Sequence, residues 1–347
     1  MFFFLLAIVG LTLLGARYCG RGVNPDYMSI PSTTAVKGVF VLLVFLRHYK
    51  SYVALDSWLD RPFLVFDGKL GQLVVALFLF YSGYGLYESF QKKGQDYVRT
   101  IPKKRFFATL LHFDLAVLLY LAVQAVFFGK FYSLKHILLS MTSWTSVGNS
   151  NWFIFAILVM YLISWAALKL IPSQIGQLCA VTAFSGIYAV VFHHFYPDLW
   201  WWYDTILCYA AGMWYSFLKP HIERFLSGEI RFWVSFGVLL VVFRVLFYYR
   251  NSLPVYEALA VVFCLLGVLA TMKVRVGNKV LYWLGGQVFT VYILQRLPMM
   301  LLEKWGLAAY PYAFFAVSLA ATLLLAAGFD WCLKRFDRAV LKIPGKK

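Results

Sequence analysis

A lysine and a histidine bracket an apolar run: Lys37, then Gly-Val-Phe-Val-Leu-Leu-Val-Phe-Leu-Arg, then His48. Charge inside membrane-grade hydrophobic sequence is costly and is kept mainly where it does chemistry. Eleven residues make about three helical turns, so Lys37 and His48 share one face, ~16 Å apart along the axis. Histidine titrates near neutrality and acts as a general base. His48 is therefore a candidate for taking the proton of a hydroxyl that attacks an acyl carbonyl. Arg47, Arg244 and Arg296, with the acids Asp204 and Glu257, are candidates for orienting that hydroxyl and stabilising the oxyanion. At the other end, Lys37, Lys104 and Arg105, with Ser82 and Tyr84, form a cationic rim suited to a phosphorylated donor such as acyl-coenzyme A.

Each residue has a plainer reading. Arg47 lies close enough to a span end to snorkel to the membrane surface. His48 can be a hydrogen-bonded structural histidine. Arg244 and Arg296 can be neutralised by Asp204 or Glu257 as ion pairs. The basic cluster at 103–105 is also a topology signal. A proton-coupled transporter or flippase for acyl groups or lipid-linked sugars also needs buried His, Arg and acidic groups, but it makes no covalent product. A membrane module that only senses or scaffolds needs none of them.

The elements that must position these groups follow from composition. The chain has 347 residues, 62% hydrophobic and 14% charged, where a soluble chain carries about a quarter charged. It reads as an all-α integral membrane protein with no soluble domain. The net charge of +17 does not point to nucleic acid, because the basic residues sit at the ends of apolar segments. Five scattered cysteines form no CxxC pair and have no clustered histidines, so neither a metal site nor a disulfide framework is indicated. Residues 1–17 lack a basic leading region and read as a retained, short membrane helix rather than a signal peptide.

Apolar segments of about 20 residues predict eleven spans. They lie near 1–17, 35–55, 67–88, 106–128, 151–171, 177–196, 199–218, 231–249, 253–273, 280–302 and 308–329. Residues 131–145 read as a short amphipathic or re-entrant piece. With the 17–37 loop in the cytoplasm, about 22 of the 32 Lys and Arg fall on cytoplasmic segments and about seven opposite, as the positive-inside rule requires. The amino terminus is then outside and the carboxyl terminus cytoplasmic. Lys37 comes out at the cytoplasmic rim and His48 in the outer half. Pro298 is expected to bend the tenth span.

Five motifs occur in order. They are Lys37-x10-His48, Phe78-Leu79-Phe80-Tyr81-Ser82-Gly83-Tyr84, Pro102-Lys103-Lys104-Arg105, Asn151-Trp152-Phe153-Ile154 with Tyr161, and Leu284-Gly285-Gly286-Gln287-Val288-Phe289 with Tyr292-Ile293-Leu294. Over residues 28–340 they resemble the signature segments of the membrane-bound acyltransferase family 3. The resemblance implies a ten-helix core at 28–340, preceded by an extra helix and linker at 1–27 and followed by a basic cytoplasmic tail at 341–347. It implies O-acylation of a carbohydrate or glycolipid acceptor, often at the cell surface, by an enzyme of the plasma membrane. Acyl-coenzyme A would be a co-substrate, with no bound cofactor. His48 carries over as the family histidine, and Lys37 and Arg105 as donor-side cations. Two positions depart from the pattern: Ala108 stands where a second arginine is frequent, and Gln295 where a late histidine is. No hydrolase-like domain follows in this sequence, so any second transfer step is expected to use a separate extracytoplasmic partner.

Overall fold

The structure, a computed structural model, describes residues 1–341. The basic tail expected at 341–347 lies, beyond its first residue, outside the described residues. The chain is 81% helical, and among the described residues seven helical segments are long and apolar enough to cross a membrane. It is a multi-pass membrane protein.

The helices run in chain order. α1 (Phe2–Leu13) leads through β1 (Arg17–Tyr18) to α2 (Ile30–Tyr49), α3 (Arg61–Leu70) and α4 (Leu73–Ile101). A π-helical turn, Pro102–Phe107, joins α4 to α5 (Ala108–Phe128). The short amphipathic α6 (Leu134–Met141) precedes α7 (Trp152–Leu170), α8 (Gln174–Phe195), α9 (Leu207–Leu226), α10 (Glu229–Tyr248) and α11 (Leu253–Lys273). β2 (Val274–Arg275) pairs antiparallel with β1. Then come α12 (Lys279–Gly286), α13 (Val288–Leu294), α14 (Arg296–Lys304) and α15 (Pro311–Phe336).

The eleven expected spans do not all appear as separate straight helices. α1 has 12 residues, about 18 Å at 1.5 Å per residue, short of the ~30 Å hydrocarbon core. Gly15, at φ 77°, ends it early. The span expected at 67–88 starts only at Leu73, its first residues belonging to α3 and the turn at Gly71. From there it shares one helical run, Leu73–Phe128, with the span expected at 106–128, broken at Gly94 (φ 55°, ψ −142°). The span expected from 199 begins only at Leu207 and continues through Lys219 and Pro220 to Leu226. The span expected at 280–302 is three short helices. Pro298 has no N–H to give to the carbonyl four residues back, which accounts for the break between α13 and α14.

Two apolar cores fill the interior. One gathers around α4, α7, α8, α9 and α11. The other gathers around α2, α5, α13 and α15. α4 serves both: every residue from Leu73 to Tyr81 is buried. The helices that carry the chemistry approach closely because glycines face backbone. A Cβ on Gly38 would sit 2.2 Å from the Leu281 carbonyl oxygen, and one on Gly285 would sit 1.8 Å from that of Thr34. α2 and α12 are thus locked together by small residues, the device that lets membrane helices pack without a hydrophobic driving force. Gly83 and Gly212 do the same for α4 and α9, each 2.0 Å from the other helix's carbonyl by the same measure.

Candidate active site

α2 begins where Ser29 accepts the Ser32 N–H and Pro31 enters the first turn, a normal helix start. Along it, Ile30, Thr34, Lys37, Val41 and Val44 all line one cavity of about 340 Å³. Their spacing alternates four and three, which keeps them on a single helix face, and the next step of four lands on His48. The opposite walls come from Val75, Phe78 and Ser82 of α4, Phe153, Ile154 and Tyr161 of α7, Gly285 and Gly286 of α12, and Phe289 and Tyr292 of α13. The cavity therefore runs from Lys37 towards Tyr292.

His48 closes that far end. Its ring meets Tyr292 edge to face, centroids 6.3 Å apart. Arg296 Nη2 donates to His48 Nδ1 at 2.9 Å, and Arg296 Nε donates to Ser150 Oγ at 3.1 Å. The break before α14 places Arg296 here. Ser150 is held by a stiff loop: Asn151 Nδ2 donates to the Ser143 carbonyl at 2.9 Å, Gln124 Nε2 to that of Val147 at 3.0 Å. Arginine has no acceptor. Nδ1 must therefore offer its lone pair, and neutral His48 carries its proton on Nε2. A hydroxyl inserted between Arg296 and His48 would accept from the guanidinium and donate to Nδ1, satisfying both. The buried Tyr292 hydroxyl has no hydrogen-bond partner among the described residues, and an unsatisfied buried polar group of this kind costs about 1–3 kcal/mol.

At the other end, Lys37 and Ser82 line the cavity directly. Arg105 stacks over Tyr161, 5.9 Å from the ring centroid, and its Nε donates to the Tyr97 hydroxyl at 3.3 Å. It rides on the π-helical turn, a geometry frequent at functional sites. Lys104 of the same turn is exposed. Tyr84 is buried away from the cavity, its ring 6.3 Å from that of Tyr215 on α9.

Several residues expected around His48 lie elsewhere. Arg47 neither snorkels nor joins the cavity. One helix position turns it ~100° from His48, and its Nη1 pairs with Asp67 Oδ1 at 3.1 Å, an acid that Lys50 also binds. Arg244 is on the exposed side of α10, in a separate hollow with Lys69 and Phe247. Asp204 and Glu257 are buried, but they do not neutralise Arg244 or Arg296. Glu257 Oε2 accepts the Leu207 N–H at 3.1 Å, while both Asp204 oxygens have no partner among the described residues.

Sequence reasoning missed Asp67, Ser150 and the role of Tyr292 as a wall. Asp67 had a signal, since a lone acid at the head of an apolar span needs a cation and Arg47 was unpaired. Ser150 had none. Tyr292 stood inside a motif but was not singled out.

A family model described as "Acyltransferase domain" matches residues 30–331, most of the chain and all of the residues that form this cavity. No curated protein and no solved structure matches the chain.

Proposed function

The chain belongs to this acyltransferase family, and from that premise we propose that it O-acylates a hydroxyl acceptor with His48 as general base. The donor is acyl-coenzyme A, with acetyl as the acyl group. It enters from the cytoplasm at the end marked by Lys37 and Arg105, and its thioester reaches towards Tyr292. The acceptor is a carbohydrate or glycolipid hydroxyl arriving at the His48 end, from the outer half of the plasma membrane. The observation that carries this reading is the single cavity that begins at Lys37 and ends on the ring against His48. One helix face thereby joins a cation to a base.

The reaction balances without a further reagent. The acceptor oxygen bonds to the acyl carbon, and its proton passes to His48 Nδ1. The carbon–sulfur bond breaks, its electron pair goes to sulfur, and His48 returns the proton to that sulfur as the thiol leaves. Arg296 holds the acceptor oxygen and balances its growing charge. Arg47 and Asp67 hold the outer end of α2 in place.

The test is reconstitution of the purified protein in liposomes with acetyl-coenzyme A and a mixed glycan acceptor, with mass spectrometry reading the ester. Lys37→Ala and Arg105→Ala should each raise the donor KM about tenfold while kcat changes little. That is the pattern of binding energy made equally in ground and transition states. An unchanged donor KM in both variants, or glycan movement across the bilayer with no ester formed, would sink the proposal.

A further inference from the structure

The sequence assigns the oxyanion to arginines, but the cavity offers a different set of donors at the place where the acyl carbonyl must lie. α7 starts at Trp152, and its N-cap residue, Asn151, makes no side-chain capping bond. The Asn151 amide is instead spent on the carbonyls of Ser143 and Trp144. The N–H groups of the first helical turn have no intrahelical acceptor. The first bond of the helix that reaches back is Phe155 N–H to the Asn151 carbonyl, at 3.1 Å. The residues of that turn, Phe153 and Ile154, line the cavity at its His48 end. The positive end of a 19-residue helix is therefore presented to the cavity without a cap.

A second, independent feature meets it. Tyr292 lines the same end and is only 7% exposed. Its hydroxyl lies beside the Phe153 main-chain amide yet has no side-chain hydrogen bond of ordinary geometry among the described residues. The ring is fixed between Phe153, with centroids 5.6 Å apart, and His48. A phenol and a main-chain amide, both able to donate, thus lie side by side at this end of the cavity, and the phenol has no acceptor among the described residues. Other buried tyrosines lack partners too, Tyr81 and Tyr87 among them, but they do not line this cavity or touch His48.

We infer that the Tyr292 hydroxyl and the first-turn amides of α7 form the oxyanion hole for the acyl thioester. The inference rests on the acyl-transfer reading above and deepens it. The thioester carbonyl oxygen docks between the phenol and the Phe153 N–H. When the acceptor oxygen adds to the acyl carbon, the carbonyl electron pair moves onto that oxygen, and the two donors and the helix dipole hold the charge. Collapse returns the pair to the carbonyl and expels sulfur. Arg296 then serves the attacking oxygen, so the two oxygens that bear charge are held by different groups on opposite sides of the acyl carbon. Donors that need no reorganisation are the effective ones in a water-poor site.

Tyr292→Phe removes one oxygen and no bond of the resting protein. It should lower kcat about 100-fold, as loss of one oxyanion-hole donor does, with the donor KM unchanged and the thermal midpoint held or raised, because an unsatisfied buried hydroxyl is removed. Replacing the Phe153 amide by an ester, with phenyllactate introduced by nonsense suppression, should lower kcat in the same direction while keeping the side chain. A more electrophilic donor, fluoroacetyl-coenzyme A, should recover part of both losses, which a merely structural role would not produce. A thioether analogue of the donor, which has no carbonyl, should bind the wild type and Tyr292→Phe equally. If kcat survives in Tyr292→Phe while Lys37→Ala still raises the donor KM, the oxyanion hole is wrong and the acyl-transfer reading stands. If the wild type makes no ester from acetyl-coenzyme A, both fall together.

Discussion

His48→Ala lowers the rate of ester formation by about 10²- to 10⁴-fold, the range of a positioned general base. Donor affinity stays within about twofold, because the cavity walls that would hold the donor do not include the imidazole. The protein still inserts and folds, since His48 is half-buried and its side chain makes one hydrogen bond among the described residues, to Arg296. His48→Gln separates two roles. Glutamine can accept from Arg296 through its carbonyl oxygen and so preserves the contact, but it cannot take a proton at neutral pH. If His48 is only a structural partner of Arg296, His48→Gln keeps activity and the assignment of a base fails. Arg296→Gln should also be slow, by less than His48→Ala. A neutral amide can still donate to Nδ1, but it cannot balance the charge on the attacking oxygen.

The α2 face was legible in the sequence because its signal is periodic and local. Ionisable residues eleven apart in an apolar run state both the helix and the shared side, and the structure puts Lys37 on the cavity wall and His48 at its end. Ser82 and Arg105 also fall on or against the cavity. What the sequence could not state is which distant groups meet. Arg47, Arg244 and Arg296 look alike as arginines inside apolar segments. Only packing turns one to Asp67, one to the exposed side of α10 and one to His48. The break in the tenth segment decides the last of these. Hydropathy averages over that break and reports one span, whereas the chain stops and restarts around Gln287 and Gln295. The expected count of eleven spans is not confirmed, for a related reason. Span counting measures apolar length, and so it cannot see that Gly15 stops α1 at 12 residues.

Gly285→Ala and Gly286→Ala, adjacent and chemically identical changes, should have opposite outcomes. At Gly285 the new methyl would lie 1.8 Å from the Thr34 carbonyl oxygen and 2.7 Å from its carbon. The obstacle is main chain, so no rotamer change relieves it, and α2 must move off α12. Overpacking of this kind costs ~1–3 kcal/mol and occasionally more, and contact with a rigid carbonyl places it at the upper end. Thr34 is one helical turn before Lys37, so the shift carries Lys37 and the cavity mouth with it, and activity is lost along with thermal stability. At Gly286 a Cβ meets nothing within 4 Å, although the residue lines the cavity. Its alanine variant should fold and melt as the wild type does. Gly286→Leu extends that test, because a longer side chain there enters the cavity and should raise the donor KM without lowering the thermal midpoint. Melting curves in detergent, read beside donor kinetics, decide the matter. Equal stability losses at the two glycines would mean that the close approach of α2 and α12 does not set the position of Lys37 and His48. If Gly286→Leu had no effect on the donor KM, the donor would not use this cavity.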